Sequence, residues 1–194
     1  MVIAAPNAQT APRAIAPRPT LAALWQAASA VPDPEIPVLS VTDLGILRGL
    51  EWDEADSQTL VVIVTPTYSG CPATDMINAS LRDALMAEGA PRVRVETRLA
   101  PAWTTEWITA DGKRKLLEFG IAPPGAGRAK SAVATIDVSR LRTSRRDRSA
   151  QEPIACPRCG SAETQLLSQF GSTACKAHYR CLACLEPFDY FKPH

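Results

Sequence analysis

Histidine is nearly missing from this chain of 194 residues: there are two, His178 and His194, both close to the C-terminus. That leaves the residues before them without a histidine base for nucleophilic catalysis. No E-x-x-H pair, G-x-G-x-x-G run or four-cysteine ferredoxin spacing occurs, which excludes the usual sequence forms of a di-iron carboxylate centre, a dinucleotide site and a ferredoxin cluster. Net charge is +1, so no global field draws the chain to nucleic acid or acidic partners. No apolar run approaches the roughly 18 residues of a membrane span, and a soluble protein is expected. The opening MVIAAPNAQTAPRAIAPRPT has no acidic residue and no continuous apolar stretch, and Pro12, Pro17 and Pro19 would break a transit helix. Residues 1–19 read as a disordered tail. With no export signal, the expected compartment is a reducing cytoplasm.

What remains is a chain long enough for one ordinary domain and a small module. LAALWQAASAV has apolar residues at 21, 24, 25 and 28, a helical stripe that stops at Pro32. VPDPEIPVLSVTDLGIL is too rich in proline for a helix before Pro37, and Ser40 or Thr42 then caps a short turn ending at Gly45. ILRGLEWDE and TLVVIVTP read as a hairpin whose second strand is apolar throughout and buried on both faces. From Pro72, which suits a first helical position, Ala73, Met76, Ile77, Ser80, Leu81, Ala84 and Leu85 recur at helical spacing until Glu88 and Gly89 supply a stop. RVRVETRL alternates as a strand with one wet face. PAWTTEWITADGKRKLLEFGI contains two short helical pieces, one capped by Thr104 or Thr105 and one beginning near Asp111. The order α-β-β-α-β-α predicts a compact α+β domain over residues 20–122, with a three-stranded sheet. Residues 123–152 form a linker in which AVATIDV suits one added strand. Its RLRTSRRDR carries five arginines; a nucleic-acid contact is the alternative to a solvated connector, and no aromatic residues interleave to stack on bases.

The six cysteines divide unequally. CPRCG at 156–160 and CLAC at 181–184 form two C-x2-C pairs, so Cys156, Cys159, Cys181 and Cys184 are expected to ligate one ion as a zinc ribbon over residues 153–194. Each C-x-x-C turn presents two sulfurs, and Gly160 allows the left-handed turn after the first pair, where the second pair has Leu185. So short a module cannot bury enough apolar surface unaided, so structural zinc is expected to contribute its folding energy. Tyr179, Phe188, Tyr190 and Phe191 would supply a small core. Two disulfides and a rubredoxin-like iron site are the competing readings. Cys175 and His178 are further candidate ligands outside the quartet; Cys175, six residues before Cys181, is read as packing within the ribbon, with a swap into the ligand set as the alternative, and His178 as a surface residue.

Cys71 stands apart in VTPTYSGCPATD, between the buried strand and the helix that follows. Near a helix N-cap, free N–H groups and the dipole favour a thiolate, suited to a soft metal or to nucleophilic attack. The competing reading is a small buried residue. One cysteine cannot hold a cluster alone, so its partners must come from elsewhere in the fold, from a second copy in a homodimer or from a client protein. Asp43 and Thr67 fall in loops and are the candidates to approach the same end of the sheet, which the sequence by itself does not show.

DPEIPVLSVTDLGIL, VTPTYSGCPATD and LAPAWTTEWITADGKRKLLEFGIAPP resemble, in order, the metal–sulfur cluster biosynthetic (SufT-like) domain family. The C-terminal CPRCGSAETQLLSQFGSTACKAHYRCLACLEPFDYFKPH is similar to the zinc-binding tail of the PaaD (PaaJ) family of phenylacetate-CoA oxygenase subunits, which join that domain to such a tail. The resemblance implies an accessory or maturation role in aerobic phenylacetate degradation, beside the multicomponent phenylacetyl-CoA epoxidase. It implies partners among the oxygenase and iron–sulfur reductase subunits, and a transient iron or iron–sulfur cluster as a second cofactor. It makes Cys71 the cluster-associated thiol and Asp43 part of the D-L-G signature, with Trp103 of P-A-W as packing. The chain is not expected to be an enzyme by itself.

Overall fold

The computed structural model describes residues 18–125 and 154–193. The Arg-rich linker, its AVATIDV segment, most of the N-terminal tail and His194 lie outside the described residues.

Helix α1 spans Leu21–Ser29, and the Thr20 hydroxyl caps it by accepting the Ala23 N–H at 3.2 Å. Only the 24/28 side of its stripe is fully buried, while Leu21 and Trp25 stay largely exposed. Strands β1 (Leu47–Trp52) and β2 (Thr59–Val64) form the expected antiparallel hairpin. Strand β3 (Arg92–Thr97) pairs with β2 in parallel, so the three-stranded sheet has the order β1-β2-β3. Being central, β2 has to be apolar on both faces, and Leu60, Val61, Val62 and Val64 are all buried. On the wet face of β3, Arg94 pairs with Asp53 at 2.6 Å and Arg92 with Asp56 at 2.5 Å, tying the hairpin turn to the neighbouring strand.

Helix α2 spans Thr74–Ala87 and buries Ile77, Leu81 and Leu85. The expected stripe is broader than the buried one, for Met76 is 59% exposed. Its start also differs from expectation. Ala73 is the N-cap, and Pro72 sits before it in a turn closed by the Thr74 N–H on the Cys71 carbonyl at 3.1 Å. Cys71 therefore lies near the cap but ahead of it, before Pro72.

A one-turn 3-10 helix at Thr105–Trp107 leads to α3 (Ala110–Phe119), which starts one residue before Asp111 because Thr109 takes the cap and accepts the Gly112 N–H at 2.9 Å. Gly120, at φ 89°, ends α3 in a left-handed cap. The two-residue strand β4 (Ile121–Ala122) then joins a different sheet. Strands β5 (Thr164–Ser168), β6 (Lys176–Cys181) and β7 (Pro187–Phe191) form the ribbon, and β4 pairs in parallel with β7 to give the order β4-β7-β6-β5. The end of the first domain thus completes the sheet of the second.

Strand alternation divides the ribbon aromatics. Tyr179 stacks on Phe188 with centroids 5.8 Å apart and meets Tyr190 edge-on at 5.7 Å, within the small ribbon core. Phe191 points to the opposite face of β7 and is buried in the α+β core, with its ring 6.2 Å from that of Trp103. The ribbon core is consequently smaller than the expected four aromatics, and the domain core larger.

Gly45 shows how tightly the D-L-G turn is packed. It has φ 68°, and a Cβ there would lie 2.6 Å from the Trp107 carbonyl oxygen and 2.7 Å from the Trp107 Cβ. Gly45→Ala is expected to lower unfolding stability by at least about 2 kcal/mol, from left-handed strain and collision with backbone together. Urea denaturation followed by tryptophan fluorescence measures it.

Candidate metal and thiol sites

The four paired cysteines converge. Their sulfurs all lie within 4.8 Å of one another, with Cys156 Sγ 3.8 Å from Cys184 Sγ and Cys159 Sγ 3.5 Å from Cys181 Sγ. Tetrahedral coordination at about 2.3 Å per sulfur requires S···S separations of about 3.8 Å, so the arrangement fits one metal ion. The two knuckles are built alike. After the first pair Gly160 takes φ 75° and donates its N–H to the Cys156 carbonyl at 2.9 Å, and after the second Leu185 takes φ 65°. Leu185 is the one non-glycine at positive φ among the described residues. The second knuckle imposes the left-handed turn on an ordinary side chain, which costs about 1 kcal/mol. The Cys184 N–H points at Cys181 Sγ at 3.5 Å; with the Ala183 N–H and the neighbouring thiols it lowers the Cys181 thiol against the effect of burial, while the crowding of thiols raises Cys184. Backbone dipoles thus favour the thiolate that a metal needs.

His178 lies outside this quartet. Its Nδ1 is 3.2 Å from Asp189 Oδ1, and Asp189 also binds the buried Lys176 ammonium at 3.1 Å. Cys175 lies outside it as well, and it does not pack within the ribbon as expected. It is 4% exposed in the core of the α+β domain, with its carbonyl held by the Lys192 N–H at 2.9 Å at the open end of the β6–β7 hairpin. Burial pushes its thiol up to about 11 against the opposing influence of the Thr173 hydroxyl, 3.0 Å from the sulfur.

Cys71 is half-buried against the core and lines a cavity of about 20 Å³. Thr67, Asn78 and the carboxylate-bearing Asp33 and Glu35 line it too, and so do Cys175 and Phe191 from the ribbon. Tyr68 stands beside the thiol. Burial, hydrogen bonding to Cys71 and the proximity of Glu35 and Cys175 together raise its hydroxyl above the ordinary tyrosine range. Pro66 and Thr67 also border an open cleft whose other walls include Tyr68, Leu99 and Trp103. Asp33 is fixed structurally: its Oδ1 accepts the N–H groups of Ile36 at 2.8 Å and Glu35 at 2.9 Å, forming the turn of D-P-E. Burial raises the Asp33 carboxyl, against the pull of those N–H groups and of Lys176.

Thr67 joins Cys71 at this cavity; Asp43 is not among the described residues that line it. The Asp43 carboxylate instead accepts the Ser40 N–H at 2.9 Å, the Ser40 hydroxyl at 3.0 Å and the Lys115 ammonium at 2.8 Å, and its own N–H is bound by Ser40 Oγ. Its carbonyl accepts the Thr109 N–H, and Gly112 lets α3 approach it closely. Leu44, next in the signature, accepts the indole N–H of the buried Trp103 at 2.8 Å. The D-L-G turn is thus the bolt that joins the 3-10 segment and α3 to the sheet. The signals for Cys175 and Glu35 were present as residue types, but not the long-range packing that brings them to Cys71.

Comparison with known proteins places this architecture in a class. Residues 21–97 match the family described as iron–sulfur cluster assembly protein, and residues 141–192 match the PaaD zinc beta ribbon domain. A protein of Escherichia coli (strain K12), named as the D subunit of 1,2-phenylacetyl-CoA epoxidase, is 46% identical over 178 residues, which are 92% of this chain and 95% of that one. Among solved structures, a DUF59 domain from Bacillus anthracis is 25% identical, covering 50% of this chain and 90% of its own, with a TM-score of 0.44. TM0487 from Thermotoga maritima is 26% identical, covering 53% and 98%, with a TM-score of 0.43. An α+β domain of the iron–sulfur cluster assembly type carrying a four-cysteine ribbon defines the class. The chain belongs to the family of phenylacetyl-CoA epoxidase D subunits. No described helix is long and apolar enough to cross a membrane.

Burial alone would raise the Asp43 carboxyl, but the Lys115 ammonium and the Ser40 N–H and hydroxyl outweigh it and hold the group below its ordinary value. A carboxylate with a depressed folded pKa contributes stability that is fully present above the unfolded value of about 3.9 and is lost as pH falls through the folded value. Asp43→Asn should therefore cost about 2 kcal/mol near neutrality. Denaturant titrations of both proteins should show that difference shrinking only below about pH 4.

Proposed function

We propose that this protein is an accessory maturation subunit of the phenylacetyl-CoA epoxidase complex, assisting assembly or repair of an iron–sulfur cluster in its oxygenase or reductase components. The observation that carries the reading is the position of Cys71. It sits in the domain of cluster-assembly type, in the loop between β2 and α2, lining a cavity beside an open cleft, while the four thiols suited to a permanent ion are gathered in the ribbon. No described histidine lines that cavity, which speaks for a thiol that handles metal or engages a client over a nucleophile with an adjacent base. The quartet holds structural zinc in this reading. Four sulfurs fill a tetrahedron and leave no open position for a substrate. The client would dock across the Tyr68 and Leu99 cleft with the ribbon alongside.

Cys71→Ser is expected to leave the fold and one zinc per chain intact, while the epoxidase reductase matured in the same cells loses cluster occupancy and epoxidase activity falls. Iron should accompany anaerobically purified wild type and be missing from the variant. Normal cluster occupancy and activity in cells carrying Cys71→Ser would overturn the reading. For the zinc, Cys159→Ser should abolish its stoichiometric retention and unfold the ribbon, read by metal analysis and proteolysis.

A further inference from the structure

Two thiols separated by more than a hundred residues in sequence line the same small cavity, one from each domain. Cys71 comes from the loop after β2, and Cys175 from the residue just before β6. The Cys175 sulfur lies 3.7 Å from Glu35 Oε2, and Glu35 itself lines the cavity. Asn78, on α2, contributes a buried Oδ1 with no hydrogen-bond partner at the same place. A buried amide oxygen without a donor is costly, at about 1–3 kcal/mol, and such groups are normally met by a water or an ion. A volume of about 20 Å³ accepts one small occupant and is far too small for a multinuclear cluster.

We propose that Cys71 and Cys175, with the Glu35 carboxylate, form a second metal site for a single borderline-soft divalent ion, in which the ribbon supplies the second thiolate. This rests on the reading of Cys71 as a metal-handling thiol and goes beyond it by naming the partner ligands and the nuclearity. Two sulfurs and a carboxylate oxygen make a mixed donor set suited to Fe²⁺, Co²⁺ or Zn²⁺ and poor for Mg²⁺ or Ca²⁺. Asn78 belongs to the same lining, and its Oδ1 has no other partner. Among the described residues only the ribbon quartet has three or more donors within 4.8 Å of one another. The second site is therefore not preassembled, and binding draws the Cys71, Cys175 and Glu35 side chains inward while each thiol releases its proton to solvent. No redox step is involved. An ion held this way would be exchangeable, whereas four thiolates would complete the coordination of an ion in the quartet.

The test uses the full chain, anaerobic and loaded with zinc in the quartet, titrated with Co²⁺ and followed by thiolate-to-cobalt charge-transfer absorption. Wild type is expected to take up one further ion per chain. Cys71→Ser and Cys175→Ser should each weaken that uptake at least about tenfold and reduce the charge-transfer intensity per bound ion by about half. Glu35→Gln should weaken uptake with the charge-transfer intensity kept. Retained zinc and unchanged circular dichroism verify that the variants fold, and Cys175→Ala replaces Cys175→Ser if the hydroxyl is not tolerated. Wild-type cobalt uptake and intensity in Cys175→Ser, with loss in Cys71→Ser, would overturn the two-thiol site and leave the Cys71 reading standing. If wild type takes up no second ion, this site is overturned, and the separate measurement of cluster occupancy in cells decides the Cys71 reading.

Discussion

Phe191 is 1% exposed, and almost everything of functional interest depends on where its ring is buried. It leaves the ribbon and enters the core of the α+β domain, against the Trp103 ring. Trp103 is in turn anchored by its indole N–H on Leu44, in the turn that Asp43 and Gly45 shape. Parallel pairing of β4 with β7 adds backbone hydrogen bonds to the same junction. An aromatic ring buried against another typically contributes several kcal/mol, more than exposed ion pairs can supply. The ribbon is therefore seated on the domain by its own contacts. Because the ring is seated there, Cys175 reaches the cavity that Cys71 lines.

That seating shares a strand with the metal-binding module. One face of β7 presents Phe188 and Tyr190 to the quartet side, where the buried set is only Ala122, Cys156, Cys181 and Phe188. The other face presents Phe191 to the domain core. So small a ribbon core buries little apolar surface of its own against the entropy of ordering its strands, so an ion in the quartet would add to what Phe191 and the β4 pairing supply. An ion in the quartet would fix the β6–β7 hairpin, which carries Phe191 and adjoins Cys175, and these two residues line the Cys71 cavity. Metal in one place and geometry in the other are coupled through a single strand, with Lys176 adding charge complementarity to Asp189 and to Asp33 across the junction.

Features set by local spacing could be read from the sequence. The alternation of RVRVETRL, the apolar run of TLVVIV and the paired C-x2-C knuckles each fix a period or a turn within a few residues, and the structure has all three. The D-L-G signature was legible as a motif, yet its chemistry was not. Asp43 finds Lys115 at a separation of 72 residues, through the helix that Thr109 caps, and no spacing rule reaches that far. Pro72 misled by its propensity for a first helical turn; here it shapes the turn before Ala73, and the helix relies on Asp75 in its first turn rather than on a side-chain cap. The assignment of Cys175 to the ribbon core followed its position in sequence, whereas its actual neighbour Glu35 is 140 residues away. A two-residue strand such as β4 has too little pattern to detect at all.

The two groups of thiols differ in the property that separates a permanent ion from a passing one. In the quartet all four sulfurs already lie within 4.8 Å of one another, and the Cys184 N–H points at one of them. Binding there requires almost no rearrangement, so the ion's interaction energy appears nearly whole as stability. Around Cys71 the surroundings are largely apolar, the second thiol is buried and protonated at neutral pH, and the donors have to be gathered. Desolvation and rearrangement subtract from whatever binds, which weakens retention but lowers the barrier to release. In the proposed arrangement the looser site would open beside a cleft on a frame that an ion in the quartet stiffens, which would give a metal-handling thiol both a rigid setting and an exit.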